Sequence, residues 1–473
     1  MTKAIAPTKE NLKWDKTARF ALYLMDRTSH PLFITGKAGT GKSTLLQYFR
    51  AKTKKNVAVL APTGLAAINV QGQTVHSFFR FPSKTITEFD IRKLYGVKWL
   101  KKLDTIIIDE VSMVRADVMD GIDQSLRLNR RSKQPFGGVQ MIFFGDLFQL
   151  PPIVRNDDEA WQEAGYETPY FFSAKVFQET HPALIELGHI HRQRDPHFID
   201  ILNAIREKNI GHHLLSALNQ RAISITNEGD SHIILTTIND KARRINEERL
   251  SRLSTKLFTF DAGVRGEFEP KDFPTDEQLR LKAGAQVMFI KNDADKRWVN
   301  GSLGKVIRLS TDGAVVEVEG EMHEVEVETW DRVVYRFNEE EGKVQTKVLG
   351  TFQQLPLKLA YAITIHKSQG QTFDRAIIDL DQGAFAHGQT YVALSRCRAL
   401  DGLVLSRPIR QRDVLFDTQV YQYKEVFPEA FKAHGYIIEQ FQEARRLKKE
   451  GLPDDAIAFR TQLSISDIEQ LSS

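Results

Sequence analysis

Eight consecutive residues near the start of the chain have the spacing to hold phosphate. Gly36-Lys37-Ala38-Gly39-Thr40-Gly41-Lys42-Ser43 follows the apolar run PLFIT and opens the segment STLLQYFR. This is the strand, loop and helix setting in which a G-x-x-x-x-G-K-S run acquires meaning. Gly36, Gly39 and Gly41 let backbone N–H groups turn toward phosphate oxygens, and the helix start adds its partial positive charge. Lys42 then reaches the β- and γ-phosphates of a nucleoside triphosphate. The Ser43 hydroxyl ligates a magnesium ion, while Thr40 and Thr44 complete the cradle. ATP and Mg²⁺ are the expected cofactors.

Two further segments supply groups for hydrolysis. The run DTIIID ends at Asp109, with Glu110 next to it. An acid at the end of a buried strand can hold the Mg²⁺ shell, and its neighbour can orient or deprotonate the attacking water. In FFGDLFQLPP, Asp146, Gln149 and a Pro-Pro turn end another apolar run. Gln149 either senses the γ-phosphate by a hydrogen bond lost on hydrolysis or only caps the turn.

The elements that must position these groups are legible as apolar runs. PLFIT (31–35), NVAVLA (56–61), DTIIID (104–109) and VQMIFFGD (139–146) are unbroken, as strands buried on both faces are. Helical stretches lie between them, so the fold class is α/β with a parallel sheet. HIILTT (232–237), RAIIDL (375–380) and GLVLS (402–406) form a second set. From 283 to 356 apolar and polar residues alternate between Gly and Asp breaks, the pattern of a small antiparallel β unit inserted in that second domain. The stretch from 426 is helical and strongly charged.

Several segments together resemble the petite-integration-frequency (PIF) family of DNA helicases, the 5′-to-3′ branch of superfamily one. They are GKAGTGKST (36–44), APTGLAAINVQGQTVHSFF (61–79), IIIDEVSM (106–113), FGDLFQLPP, HRQRD (191–195), AQVMFIKN with NGSLGKV (285–292 and 300–306), LAYAITIHKSQGQT (359–372) and YVALSRCR (391–398). RecD-like and phage Dda-like helicases share some of these segments; AINVQGQTVHSF and NGSLG favour the PIF family. The resemblance implies an ATP-dependent DNA helicase with a first RecA-like domain over 1–188 and a short wedge element near 64–77. It further implies a second RecA-like domain over 189–282 and 357–425, interrupted at 283–356 by a Src-homology-3-like β-barrel. Arg396 is then the arginine finger, Arg192 a second γ-phosphate contact, and Gln369 and Gly370 residues that feel the nucleotide. One departure stands out. Such helicases usually carry an adenine-reading Gln upstream of the phosphate loop, and KWDKTARFALYLM has none in register.

Single-stranded DNA, and its junctions with duplex, is the implied partner. Thr63 and Gly64 offer a hydroxyl and backbone N–H groups for phosphate. Thr74, His76, Phe78 and Phe79 offer hydrogen bonds and flat faces on which bases could stack. Phe78 and Phe79 read equally as core residues, and His76 as a structural histidine. In the second domain Thr237, Asn239, His366 and Lys367 are the matching candidates. The tail 426–473 resembles a helix-turn-helix pattern, and reads alternatively as a helical hairpin that packs or binds a protein partner.

Composition fits a cytoplasmic protein, and a monomer in solution is expected. The 65 basic and 61 acidic residues leave +4, so any nucleic-acid site must come from clustered charge rather than the total. Clusters lie at Lys52, Lys54 and Lys55, and at Arg127, Arg130, Arg131 and Lys133. Cys397 is the one cysteine, which excludes an intrachain disulfide and a cysteine-cluster zinc site. No run approaches the ~20 apolar residues of a membrane span.

Overall fold

The computed structural model describes residues 14–94, 97–154, 158–193, 195–222, 232–311, 313–423, 438–461, 463 and 465–469. Six strands make the first sheet: β1 (Leu32–Gly36), β2 (Val57–Ala61), β3 (Gln73–Thr74), β4 (Thr105–Ile108), β5 (Gln140–Phe144) and β6 (Ala183–Leu187). They pair in parallel in the order β3-β2-β4-β5-β1-β6. β1, β4 and β5 are buried at every position. Strand alternation explains why both faces must be apolar. Ile34, Ile107 and Ile142 pack under the helices Lys16–Arg27 and Lys42–Lys52, whereas Phe33, Ile108 and Phe143 pack under the helix Ala116–Arg130.

The second sheet is also parallel. It comprises β7 (Ile233–Thr236), β18 (Ala362–Thr364), β19 (Ala376–Asp379) and β20 (Leu403–Leu405), in the order β18-β7-β19-β20. Between β7 and β18 the chain turns antiparallel. β8 (Leu257–Asp261) pairs with β10 (Gln278–Lys282). β9 (Gly263–Gly266) joins β16 (Lys343–Gln354) and β15 (Glu328–Asn338) in a three-stranded sheet. β11 (Gln286–Phe289), β12 (Leu303–Leu309), β13 (Ala314–Val318), β14 (Glu321–Val325) and β17 (Leu357–Leu359) form a five-stranded one.

One boundary differs from the sequence reading. The β region runs from Leu257 to Leu359, wider than 283–356, because the alternating run LFTFD pairs back onto QLRLK. Within it the strands β14-β13-β12-β11-β17 make a five-stranded antiparallel sheet, and the β15–β16 hairpin projects as a long ribbon. The stretch 64–77 forms the helix Gly64–Asn69, the edge strand β3, and the start of the helix Val75–Phe79.

The ribbon reaches the first domain. β3 is only two residues long and pairs with Leu60 and Ala61, so the polar groups of Val59 lack a strand partner on that side. The Tyr335 hydroxyl takes that place, accepting from Val59 N at 2.8 Å and donating to Val59 O at 3.3 Å. Its ring packs edge-on to Phe78, with Trp99 alongside.

The tail belongs in part to residues outside those described. From Ile438 onward it makes three helices, Ile438–Lys449, Asp454–Thr461 and Ile465–Glu469. Phe441, Ala444, Leu447, Ile457, Leu463 and Ile468 join the core beneath Ala18, Ala21 and Met25. The tail therefore packs on the first domain. No helix among the described residues is long and apolar enough to cross a membrane.

Candidate active site

β1 delivers Gly36 to the carboxyl edge of the first sheet, and the helix Lys42–Lys52 begins after Gly41, whose φ of +84° puts it in the left-handed region. Gly39 is constrained from outside as well as by its φ of +83°: an added Cβ would lie 2.5 Å from the Arg192 Cβ. The loop is thus clamped by the very arginine that faces its ligand side. Lys42 Nζ folds back onto the carbonyls of Gly36 at 2.6 Å and Lys37 at 3.1 Å. Burial pushes its pKa down, so an incoming polyphosphate would exchange two neutral acceptors for a charged one.

The two acids after β4 sit in a strained turn. Glu110 holds a left-handed φ of +51° without being glycine, and its N–H donates to Asp109 Oδ1 at 3.0 Å. Strain of this kind persists where surrounding structure over-determines it. Gln369 Nε2 donates to Glu110 Oε2 at 2.9 Å and to Gln149 Oε1 at 3.3 Å, so one amide of the second domain reads both hydrolytic candidates of the first. Asp109 is buried, and burial with Glu110 alongside raises its pKa. A dication would reverse that by stabilising the charged form.

Two arginines complete the ligand side. Arg396 is 1% exposed and is held by its own domain, donating from Nε to Val392 O at 2.9 Å and from Nη1 to Gln371 O at 3.2 Å. Arg192 donates to Ser395 O at 3.2 Å. Burial and the adjacent Arg396 push its pKa down to about 9. Arg192 and Arg396 both stand on the wall of the same cavity as the phosphate loop. With Glu110, Gln149, Gly370 and residues 38–44 they line one cavity of about 1040 Å³. Gly36 and Asp109 lie behind its wall, and Gln369 reaches it through its amide bonds.

Sequence reading missed three groups here. Tyr391 Oη accepts from the phosphate-loop N–H of Ala38 at 2.9 Å, a contact across 353 positions. Arg206, on the helix Pro196–Arg206, bonds Asp146 at 3.1 Å and lies over the Phe148 ring at 4.0 Å. Burial alone would raise the Asp146 pKa, but Arg206 and Lys42 outweigh it and leave it low. His191 stands at the mouth, its ring 4.3 Å from that of His189. No local pattern marks Arg206, whereas His191 and Tyr391 open the segments HRQRD and YVALSRCR that carry the resemblance.

The nucleic-acid candidates divide sharply. Phe79 is 2% exposed and Phe78 7%, so both are core residues and Phe79 cannot stack a base. Thr63 and Thr74 cap short helices, accepting from Ala66 N at 3.3 Å and Ser77 N at 3.2 Å. His76 is half-buried, and burial lowers its pKa. Gly64 faces Asp272 of the β region, whose Oδ1 would lie 2.7 Å from an added Cβ. In the second domain Thr237 is buried, Asn239 and Lys367 are exposed, and His366 is half-buried. The Arg127–Lys133 cluster is mostly spoken for: Arg127 bonds Asp123 and Glu179, and Arg130 bonds the carbonyls of Leu103 and Gly137.

Two parallel-sheet lobes with a phosphate loop on one and arginines facing it from the other define a RecA-type motor ATPase. Residues 20–212 match the PIF1-like helicase family, and residues 271–309 match the 2B domain of DNA helicase Pif1. The chain is 32% identical over 412 residues to ATP-dependent DNA helicase Pif1 of Bdellovibrio bacteriovorus, covering 85% of this chain and 89% of that one. It spans 64% of the longer Xenopus laevis relative. The crystal structure of Bacteroides sp. Pif1 with ADP-AlF4 superposes with a TM-score of 0.82 at 36% identity, covering 89% of this chain and 97% of that one. Bacteroides Pif1 bound to single-stranded DNA gives 0.65 at 37% identity, over 89% and 97%. The chain belongs to the PIF1-like helicase family.

Proposed function

We propose that this protein is an ATP-driven DNA helicase that translocates 5′ to 3′ on single-stranded DNA and unwinds duplex or structured DNA. The observation that carries the reading is that Arg192 and Arg396 line the same cavity as the phosphate loop, with Gln369 already bonded to Glu110 across it. The residues fit a nucleoside triphosphate: positive-φ glycines open the loop N–H groups, and the cavity is large enough for the whole molecule. Lys42, Ser43 and Asp109 would hold the triphosphate and its Mg²⁺, which supplies charge neutralisation at the phosphates. Glu110 takes the proton of the attacking water. Arg396 and Arg192 stabilise the charge that develops on the leaving oxygens, worth about 10³–10⁵ in rate in comparable enzymes. Nucleotide charge draws the arginine-bearing domain inward and hydrolysis releases it, so DNA contacts on the two domains shift relative to one another.

The matching relatives are named ATP-dependent DNA helicases, and one matching structure is bound to single-stranded DNA; both support DNA and its single-strand junctions as substrate. A lone buried cysteine and the lack of a long apolar helix among the described residues support a cytoplasmic place of action. The test is strand release from partial duplexes with a tail at the 5′ or the 3′ end, with ATP and Mg²⁺. Release from 5′-tailed substrates alone is expected. Release from 3′-tailed substrates alone would reverse the direction, and DNA-stimulated hydrolysis without any release would leave a translocase.

A further inference from the structure

After the helix Val75–Phe79 the chain runs along the helix Ala116–Arg130 before it enters β4. Ile86 N donates to Asp117 at 2.7 Å near the start of that helix, and Leu94 N donates to Asn129 at 2.8 Å near its end. Between these two anchors stands Phe89, 92% exposed although a phenyl ring gains by leaving water. Its turn, Glu88–Asp90, is tied down: Asp90 accepts from Thr87 N at 3.0 Å and Thr87 Oγ1 at 2.8 Å, and pairs with Lys84 at 3.0 Å. Exposed Arg92 and Lys93 follow at once. The last turn of the helix Ala116–Arg130 then staples two further loops beside them. Arg130 donates to the carbonyls of Leu103 at 3.0 Å and Gly137 at 2.9 Å, and Arg127 to that of Lys133 at 2.7 Å. Those bonds occupy the helix's own side chains and leave Lys101, Lys102, Arg131 and Lys133 exposed around its end. A helix with its side chains is about 10–12 Å across, so cations around one end can meet successive phosphates of one strand. The acids of these segments are Glu88, Asp90 and Asp104; Asp90 is paired, and Asp104 accepts from Asn56 N at 2.7 Å. Duplex could use the cations alone, but an exposed flat ring heading a cationic row is the pattern that holds unpaired strands regardless of sequence.

We propose that this outer face of the first domain carries the displaced strand of a DNA fork. One base stacks on Phe89, and the phosphates beyond it pass Arg92 and Lys93 to reach Lys101, Lys102, Arg131 and Lys133. The inference rests on the helicase reading above and adds a path for the strand that is not tracked. The two paths lie at opposite edges of the sheet. Thr63 follows the carboxyl end of β2, whereas Lys101 and Lys102 precede β4 and Lys133 precedes β5, at the amino edge. The row also begins where the strands would part, because its segment continues directly from the helix that ends the expected wedge element. A strand held there is kept from pairing again with the one in the track.

Binding of two substrates by the full chain tests this: a duplex with a 5′ tail alone, and the same duplex with a 3′ tail added on the other strand. The wild type should bind the two-tailed fork about tenfold more tightly, a gain of the size one stacked base contributes. Phe89→Ala should lose that advantage and bind the 5′-tailed duplex as the wild type does. The triple variant K101A/K102A/K133A should lower the log–log salt slope of fork binding by about 2, at roughly 0.7 for each single-strand phosphate. Equal binding of the two substrates by the wild type overturns the proposal. A full advantage retained in Phe89→Ala overturns the stacking role, and an unchanged salt slope overturns the phosphate path. If the triple variant loses the 5′-tailed duplex as strongly as the fork, the face serves duplex and the displaced-strand assignment falls. A wild-type ATPase that no DNA stimulates overturns the helicase reading itself, so the two failures are distinguishable.

Discussion

Across the nucleotide cleft the two halves of the molecule meet through charge and amide: Arg206 with Asp146, Gln369 with Glu110 and Gln149, Tyr391 with the Ala38 N–H. At the ribbon they meet through an aromatic cluster of Tyr335, Phe78 and Trp99 closed by one hydroxyl. The first contact is made of charged and polar groups, of which Ala38, Glu110 and Gln149 line the cavity that would take phosphate and metal. The second buries apolar rings, whose attraction is indifferent to nucleotide charge. The difference separates the junction that nucleotide can drive from the one it cannot.

The sharpest way to break that comparison is at the arginines. Arg396→Ala should lower DNA-stimulated hydrolysis about 10³-fold while leaving ATP affinity nearly unchanged, since the group acts on developing charge. A loss confined to KM would assign Arg396 to binding instead. Arg206→Ala comes next, because it strands the buried carboxylate of Asp146. Removing one partner of such a pair costs about 3–5 kcal/mol, so the melting midpoint should drop markedly. A midpoint like that of the wild type would mean that water already serves Asp146. Tyr335→Phe keeps the ring and removes only the hydroxyl, leaving Val59 unsatisfied at about 1–3 kcal/mol. This loss should be the same with and without a non-hydrolysable ATP analogue; a nucleotide-dependent loss would show the ribbon to be part of the switch. The smallest effect concerns Asp272, whose carboxylate faces Gly64 at a proposed phosphate contact. Asp272→Asn should tighten single-strand binding by about two- to fivefold at low salt, and unchanged binding would place the DNA backbone elsewhere.

What the sequence made legible was whatever repeats locally. The phosphate loop, the acids after β4 and the buried parallel strands each announce themselves within about ten residues, because strand period and loop chemistry are local properties. Contacts such as Tyr391 with Ala38 or Tyr335 with Val59 join residues far apart in the chain, and nothing beside either partner signals the other. Phe79 shows the converse error: an aromatic next to a polar motif looked available to DNA, yet the helix Val75–Phe79 turns it under β2. The β region was underestimated at its start because β8 alternates weakly and finds its partner only after a detour through β9. The apolar spacing of the tail was visible, but not the face it covers; the exposed side of the helix Lys16–Arg27 had no independent mark.

The single hydroxyl on Val59 has a consequence for how this chain survives in a crowded cell. β3 leaves part of the β2 edge bare, and bare strand edges are templates on which other chains add strands. Natural proteins usually guard such edges with a charge, a proline or a bulge. Here the guard comes from Tyr335, 276 positions later. During synthesis β2 must therefore emerge and fold with its edge open until the ribbon is made. Slow translation through residues 60–335 would then favour aggregation more than it would in a chain whose edge protection is encoded nearby.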